Sequence, residues 1–144
     1  MVSTTAKHAV RALTHLASLA PGESIGGRDL ARAANIPPNY LSKILWTLGS
    51  AHVIDATRGI GGGYRMRRPP ETVRLIDIIE LFDKARTASD CFLDGTHPCS
   101  DSTACAAHEH WRDVKKAYVE FLEHTTLAAL ASSSRQQASP ESHP

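Results

Sequence analysis

Three cysteines and a histidine lie close together in this 144-residue sequence, in the order Cys91-x7-Cys99-x5-Cys105-x2-His108, and no other cysteine occurs. Thiolates are soft ligands that suit iron–sulfur clusters and zinc, and an imidazole can fill a remaining position. A disulfide framework needs paired cysteines and an oxidising compartment, and an odd, local group of three signals neither. The pattern therefore points to metal or redox chemistry. If a helix begins at Cys105, His108 follows at i+3 and shares its face, which makes His108 the reasonable fourth ligand. Asp94, His97, Asp101 and His110 are further donors nearby in the chain. Zinc, a thiol set open to oxidation and an ordinary exposed histidine remain as alternatives.

A second chemistry is written in the charge. Residues 1–70 carry nine Lys/Arg against three acids, and residues 71–144 carry seven against twelve, although the net charge is only +1. A basic half beside an acidic half suggests a polyanion-binding module joined to one with another task. Neutralising phosphates releases counterions, so nucleic acid is the partner that best rewards a basic surface.

The elements that must position these residues follow from periodicity. Val10, Leu13, Ala17 and Ala20 predict an amphipathic helix over 4–20, ended by Pro21-Gly22. A short helix is expected over Gly27 to Ala34, a turn at Asn35-Ile36-Pro37-Pro38, and a third helix from Pro38 to about Ser50. Its apolar stripe is Leu41, Ile44, Leu45 and Leu48, which leaves Asn39, Tyr40, Ser42, Lys43 and Trp46 available to a DNA groove. Two short helices around a tight turn make a helix-turn-helix. Strand-like Val53 to Thr57 and Tyr64 to Met66 flank Arg58-Gly59-Ile60-Gly61-Gly62-Gly63, so a basic hairpin follows the third helix. Arg58, Arg65, Arg67 and Arg68 on such a ribbon suit phosphates and the minor groove. The glycine run lacks the Gly-Lys-Ser/Thr ending of a P-loop and opens no helix, which excludes a nucleotide fingerprint.

Beyond the hairpin, a buried fourth helix is expected at about Ile76 to Asp83, then a loop bearing the cysteines. A single long helix should run from about Cys105 to Ala131, with Trp111, Val114, Tyr118, Phe121 and Thr125 as a heptad-like seam for a partner copy. The expected layout is a winged helix-turn-helix over 1–83, a sensor loop over 84–104, a dimerisation helix over 105–131 and a disordered tail over 132–144. The fold class is mainly α with a small β-wing. No run approaches the roughly 18 apolar residues needed to span a bilayer, and Met1 to His8 has no secretory apolar region, so a cytoplasmic protein is expected. With no Cys-x-x-Cys and no cofactor motif, a small redox enzyme or electron carrier would leave the basic hairpin unexplained.

These stretches resemble the IscR/NsrR-type (Rrf-two) family of regulators. The resemblance rests on Ala9-Val10-Arg11-Ala12-Leu13, on Ile36 to Leu45, on Arg58 to Tyr64 and on Arg68-Pro69-Pro70-Glu71, and it spans residues 1 to about 131. It implies a homodimeric regulator on a palindromic double-stranded DNA operator, with the third helix in the major groove and the wing in the minor groove. The expected DNA contacts are Arg28, Asn39, Tyr40, Ser42, Lys43, Arg58, Gly62, Gly63 and Arg65. The resemblance also implies a [2Fe-2S] or [4Fe-4S] cluster on Cys91, Cys99, Cys105 and His108, sensing iron, redox state or nitric oxide. Zinc, thiol oxidation or a small-molecule effector are the alternatives. Cluster-binding members have five residues in the first interval where this chain has seven, and Ser42 stands where an acidic residue often follows Tyr-Leu. His8 is a further possible ligand, since some members recruit a first-helix residue from the partner subunit.

Overall fold

The computed structural model describes residues 2–85, 91–93 and 100–138. Cys99, Asp94 and His97 lie outside the described residues. The element order is α1 (Thr4–Ala17), α2 (Gly27–Ala34), α3 (Pro38–Ser50), β1 (Ile54–Thr57), β2 (Gly63–Met66), a 3-10 turn at Pro70–Thr72, α4 (Leu75–Ile79), α5 (His108–His124) and α6 (Leu127–Ala138). The helices pack around a core of Leu13, Leu30, Leu41, Ile44, Leu48, Ile76 and Ile78, and β1 and β2 form an antiparallel hairpin beside it.

Local chemistry sets the boundaries. The Ser3 hydroxyl caps α1 by accepting the Ala6 N–H at 3.1 Å. Asn35 ends α2 in the left-handed conformation (φ 53°), and the Ile36 N–H donates back to the Ala31 carbonyl at 2.9 Å. Pro38 then opens α3, where its missing N–H is no loss. α1 stops at Ala17, three residues short of the expected end, because Ser18 turns its N–H and hydroxyl onto the His15 carbonyl.

The short α4 is pinned by Asp77. Its carboxylate accepts the Arg74 backbone N–H at 3.2 Å and the guanidinium at 3.0 and 2.8 Å. The Arg74 side chain thereby holds the Asp77 carboxyl below the usual carboxylate range. A carboxylate with a lowered folded pKa stabilises fully above its unfolded value, about 3.9, and the contribution vanishes as pH falls through the folded value. Asp77→Asn should therefore lower the urea midpoint at neutral pH, and the gap to the native chain should close in acid. Parallel urea curves from pH 7 to pH 2 check this; a gap independent of pH would contradict it.

The single final helix expected over 105–131 is two helices, and residues 132–138 of the expected tail are helical. Thr125 is extended (φ −99°, ψ 125°), and the backbone between α5 and α6 pairs with the segment before α4. The Leu75 N–H donates to the Thr125 carbonyl and the Leu127 N–H to the Val73 carbonyl, each at 2.9 Å. The Thr126 hydroxyl accepts the Ala129 N–H at 3.3 Å and starts α6 afresh. Two adjacent β-branched threonines are poor helix formers, and the pairing with Val73 and Leu75 decides the break. Leu127 and Ala131 then close onto the core. Among the described residues no helix is long and apolar enough to cross a membrane.

Candidate functional site

The outward face of α3 is built by elimination. Leu41, Ile44, Leu45 and Leu48 are buried, so Asn39, Tyr40, Ser42, Lys43 and Trp46 are left exposed on the other side. Ser42 spends its hydroxyl proton on the Pro38 carbonyl at 3.1 Å. The exposed and buried sides of α3 are thus those expected from its apolar stripe.

The hairpin is a wing stitched to the helical body. Its register pairs Ile54 with Met66, Asp55 with Arg65, Ala56 with Tyr64 and Thr57 with Gly63. Tyr64 in turn pairs with Ile25, through a 2.7 Å bond from its N–H to the Ile25 carbonyl and a 3.0 Å bond in return. Nothing in the sequence around Ile25 announces this third edge, because it is a single bridge without strand periodicity. Gly62 and Gly63 are demanded by crowding: a Cβ would meet Thr57 O at 2.3 Å and Ile25 O at 2.4 Å respectively.

The arginines divide into two groups. Arg67 lies 3.8 Å from the Asp55 carboxylate and 3.2 Å from His52 Nδ1, and Arg68 donates to the Thr72 carbonyl at 3.1 Å. These two brace the base of the wing, although the sequence offered them equally for phosphates. Arg28, Arg58, Arg65 and Lys43 are exposed and have no ion-pair partner among the described residues.

The Cys91 and Cys105 sulfurs stand 3.5 Å apart, both half-buried. Phe92 leans on Trp111 of α5 with ring centroids 5.5 Å apart, which holds the Cys91 segment against that helix. Cys105 precedes α5 rather than opening it, and the His108 N–H donates to its carbonyl at 3.0 Å. The shared helix face expected for Cys105 and His108 is thus replaced by a turn. His108 Nε2 is 2.9 Å from the Asp101 carboxylate, and Arg112 is 3.7 Å from the same group. The hydrogen bond from His108, followed by its charge and that of Arg112, holds Asp101 below the usual carboxylate range. Among the described residues no three His, Cys, Asp or Glu side chains group as a metal site. His110 is exposed on α5, and His8 lies instead in the helical body, 6.5 Å from the Tyr40 ring, with Nδ1 lacking a partner among the described residues.

Residues 2–133 match the family model described as Rrf2, iron-dependent transcriptional regulator. The chain belongs to the Rrf2 family. It is 34% identical over 130 residues to Rv1287 of Mycobacterium tuberculosis, a protein named as an HTH-type transcriptional regulator, covering 90% of this chain and 80% of that one. It is 29% identical over 126 residues to the HTH-type transcriptional regulator IscR of Vibrio vulnificus, covering 88% and 74%. Two solved structures share the Rrf2 fold. IscR of T. potens superposes with a TM-score of 0.75 at 23% identity, covering 98% of this chain and 93% of the other. CymR, the global cysteine regulator of B. subtilis, gives 0.77 at 24% identity, covering 92% and 97%. This Rrf2 chain is a winged-helix transcription regulator, with α3 as its second helix-turn-helix element and β1–β2 as its wing.

Proposed function

We propose that this Rrf2 regulator acts as a homodimer on a palindromic DNA operator and senses iron, redox state or nitric oxide through an iron–sulfur cluster on Cys91, Cys99, Cys105 and His108. The 3.5 Å between the Cys91 and Cys105 sulfurs carries the sensing half. Two thiolates on one tetrahedral metal, with bonds of about 2.3 Å, stand about 3.8 Å apart. The pair therefore fits two ligands of one iron, as in [2Fe-2S], with almost no movement, whereas [4Fe-4S], with one protein ligand per iron, would require the two sulfurs to separate. A bound cluster would supply reversible electron uptake and loss tuned by its surroundings. Asp101 would orient the His108 imidazole, as carboxylates commonly do for metal-ligating histidines. The family description and the IscR relatives favour iron over zinc.

At the DNA end, Arg28, Asn39, Tyr40, Ser42 and Lys43 would approach the major groove, and Arg58 and Arg65 would follow the wing, with Gly62 and Gly63 letting its backbone come close. The dimer reading rests on α5. Leu122 is its buried residue, while Val114 and Phe121 are 50% and 52% exposed. Two heads on a palindrome sit about 34 Å apart, one DNA turn. The turn from Cys105 to His108 leads straight into α5, so a change at the cysteines would shift the dimer helix and that spacing. Such a protein works where the chromosome is, in the cytoplasm, and as a regulator rather than an enzyme.

The same sulfur separation favours a second reading. Oxidation by hydrogen peroxide would join Cys91 and Cys105, the two thiols giving up two protons and two electrons as the peroxide leaves as two waters. One of the solved relatives is an oxidised form of Staphylococcus aureus CymR. Purification without oxygen, followed by iron and sulfide analysis, a visible spectrum and binding to a duplex selected from a random pool, separates the two. Bound iron and sulfide, with affinity that changes on their removal, supports the cluster. A colourless, iron-free protein whose affinity changes on forming one disulfide would replace it with the thiol switch.

A further inference from the structure

We infer that Trp46 seats one sugar–phosphate strand of duplex DNA in the cleft between α3 and the wing. The inference rests on the DNA-reading assignment above and adds a specific occupant for that cleft.

Trp46 is 75% exposed and is the bulkiest apolar side chain on the outward face of α3. An indole left in water forgoes the stabilisation that burial brings, and tryptophan typically gains it at an interface, where an apolar body and a polar tip are both used. Its position along the helix selects the partner. Residues in the first turns of a reading helix reach base edges, whereas Trp46 lies eight residues beyond Pro38, about 12 Å along the axis. There it borders a cleft of about 480 Å³, walled by Ser42, Trp46, Gly49 and Ser50 on one side and by Ala56 and Tyr64 on the other.

One wall of this cleft belongs to the element that enters the major groove, and the other to the element that enters the minor groove. The strand separating those grooves must pass between them. Its surface alternates apolar deoxyribose edges with anionic phosphates. The indole and the Ala56 methyl suit the sugars, and the exposed Ser50 hydroxyl lies at the rim for a phosphate. Gly49 keeps the floor open, since a Cβ there would meet nothing within 4 Å. Among the described residues no acidic side chain lines the cleft. Asp55, next to Ala56, is engaged by Arg67.

Contact through sugars predicts an affinity effect without a charge effect. The probes are a 30-base-pair duplex of arbitrary sequence at low salt and a duplex selected from a random pool. Trp46→Ala should weaken binding to both by a similar factor, about tenfold, and Trp46→Phe should keep most of the affinity. The slope of log affinity against log salt should stay that of the native chain, whereas Lys43→Ala should reduce it by about one. The chain has two tryptophans, so saturating DNA should lower acrylamide quenching in the native protein, and this shielding should vanish in Trp46→Phe, which leaves Trp111 alone. An indole equally quenchable on saturating DNA, or a loss confined to the selected duplex, overturns the placement while leaving DNA reading intact. A native chain that binds neither duplex overturns both.

Discussion

Replacing Gly63 by alanine should lower the melting temperature by about 10 °C and weaken DNA binding at least tenfold. Gly63 has φ 146°, a region L side chains rarely adopt, and a Cβ would lie 2.4 Å from Ile25 O and 2.9 Å from Gly26 N. Both neighbours are backbone, so no side chain can swing aside. Relief requires the wing to leave Ile25, which breaks the two hydrogen bonds between Ile25 and Tyr64. Once the wing has left Ile25 the clash is relieved, so the cost is two hydrogen bonds at about 1 kcal/mol each plus about 1 kcal/mol for the positive φ that remains, roughly 3 kcal/mol. For a chain of this size each kcal/mol is worth about 3–4 °C, and a total stability of about 5–15 kcal/mol leaves the variant folded. Arg58 and Arg65 would then be carried on a detached ribbon. Gly49→Ala, in open space within α3, should instead match or exceed the native melting temperature. Calorimetry of both variants, with low-salt DNA titrations of Gly63→Ala, decides the matter; a Gly63→Ala protein that melts and binds like the native one would refute the account.

Removal of either half-buried thiol should strip the sensor. Cys91→Ala and Cys105→Ala, purified without oxygen, should hold iron and sulfide near background and bind DNA alike before and after iron chelation. Asp101→Asn keeps every proposed ligand but loosens the imidazole through its 2.9 Å bond, so iron retention should fall about 10- to 100-fold. The graded result separates a ligand from a group that positions one. Full iron content in both cysteine variants would remove Cys91 and Cys105 from the centre.

The sequence was most legible where structure is local. α2 and α3 begin and end at the expected residues because Asn35, Pro38 and a clean apolar stripe act within one turn. It was least legible where distant segments meet. The break at Thr125–Thr126 depends on Val73 and Leu75, some fifty residues earlier, so a continuous heptad-like seam ran through it. Tyr118 of that seam instead packs on the core of its own chain. Burial, with the nearby Asp83 charge adding to it, pushes its phenol pKa up. Arg67 has the same chemistry as Arg65 in the sequence, and only the fold sets it beside Asp55 and His52. The cysteine spacing raised metal or redox chemistry as an expectation, but the approach of Cys91 to Cys105, beside the packing of Phe92 on Trp111, could not be read from it.

The turn at Thr125 and Thr126 also settles how far this protein can be taken apart. It returns the chain so that Leu122 and Leu127 complete the same core that holds Leu13 and Ile76. A fragment ending at Asp83 would carry every side chain proposed to meet DNA yet leave that core unroofed. We therefore expect the N-terminal half to be no cassette for grafting onto a foreign oligomeriser, and a single calorimetric transition shared with its own C-terminal helices checks this.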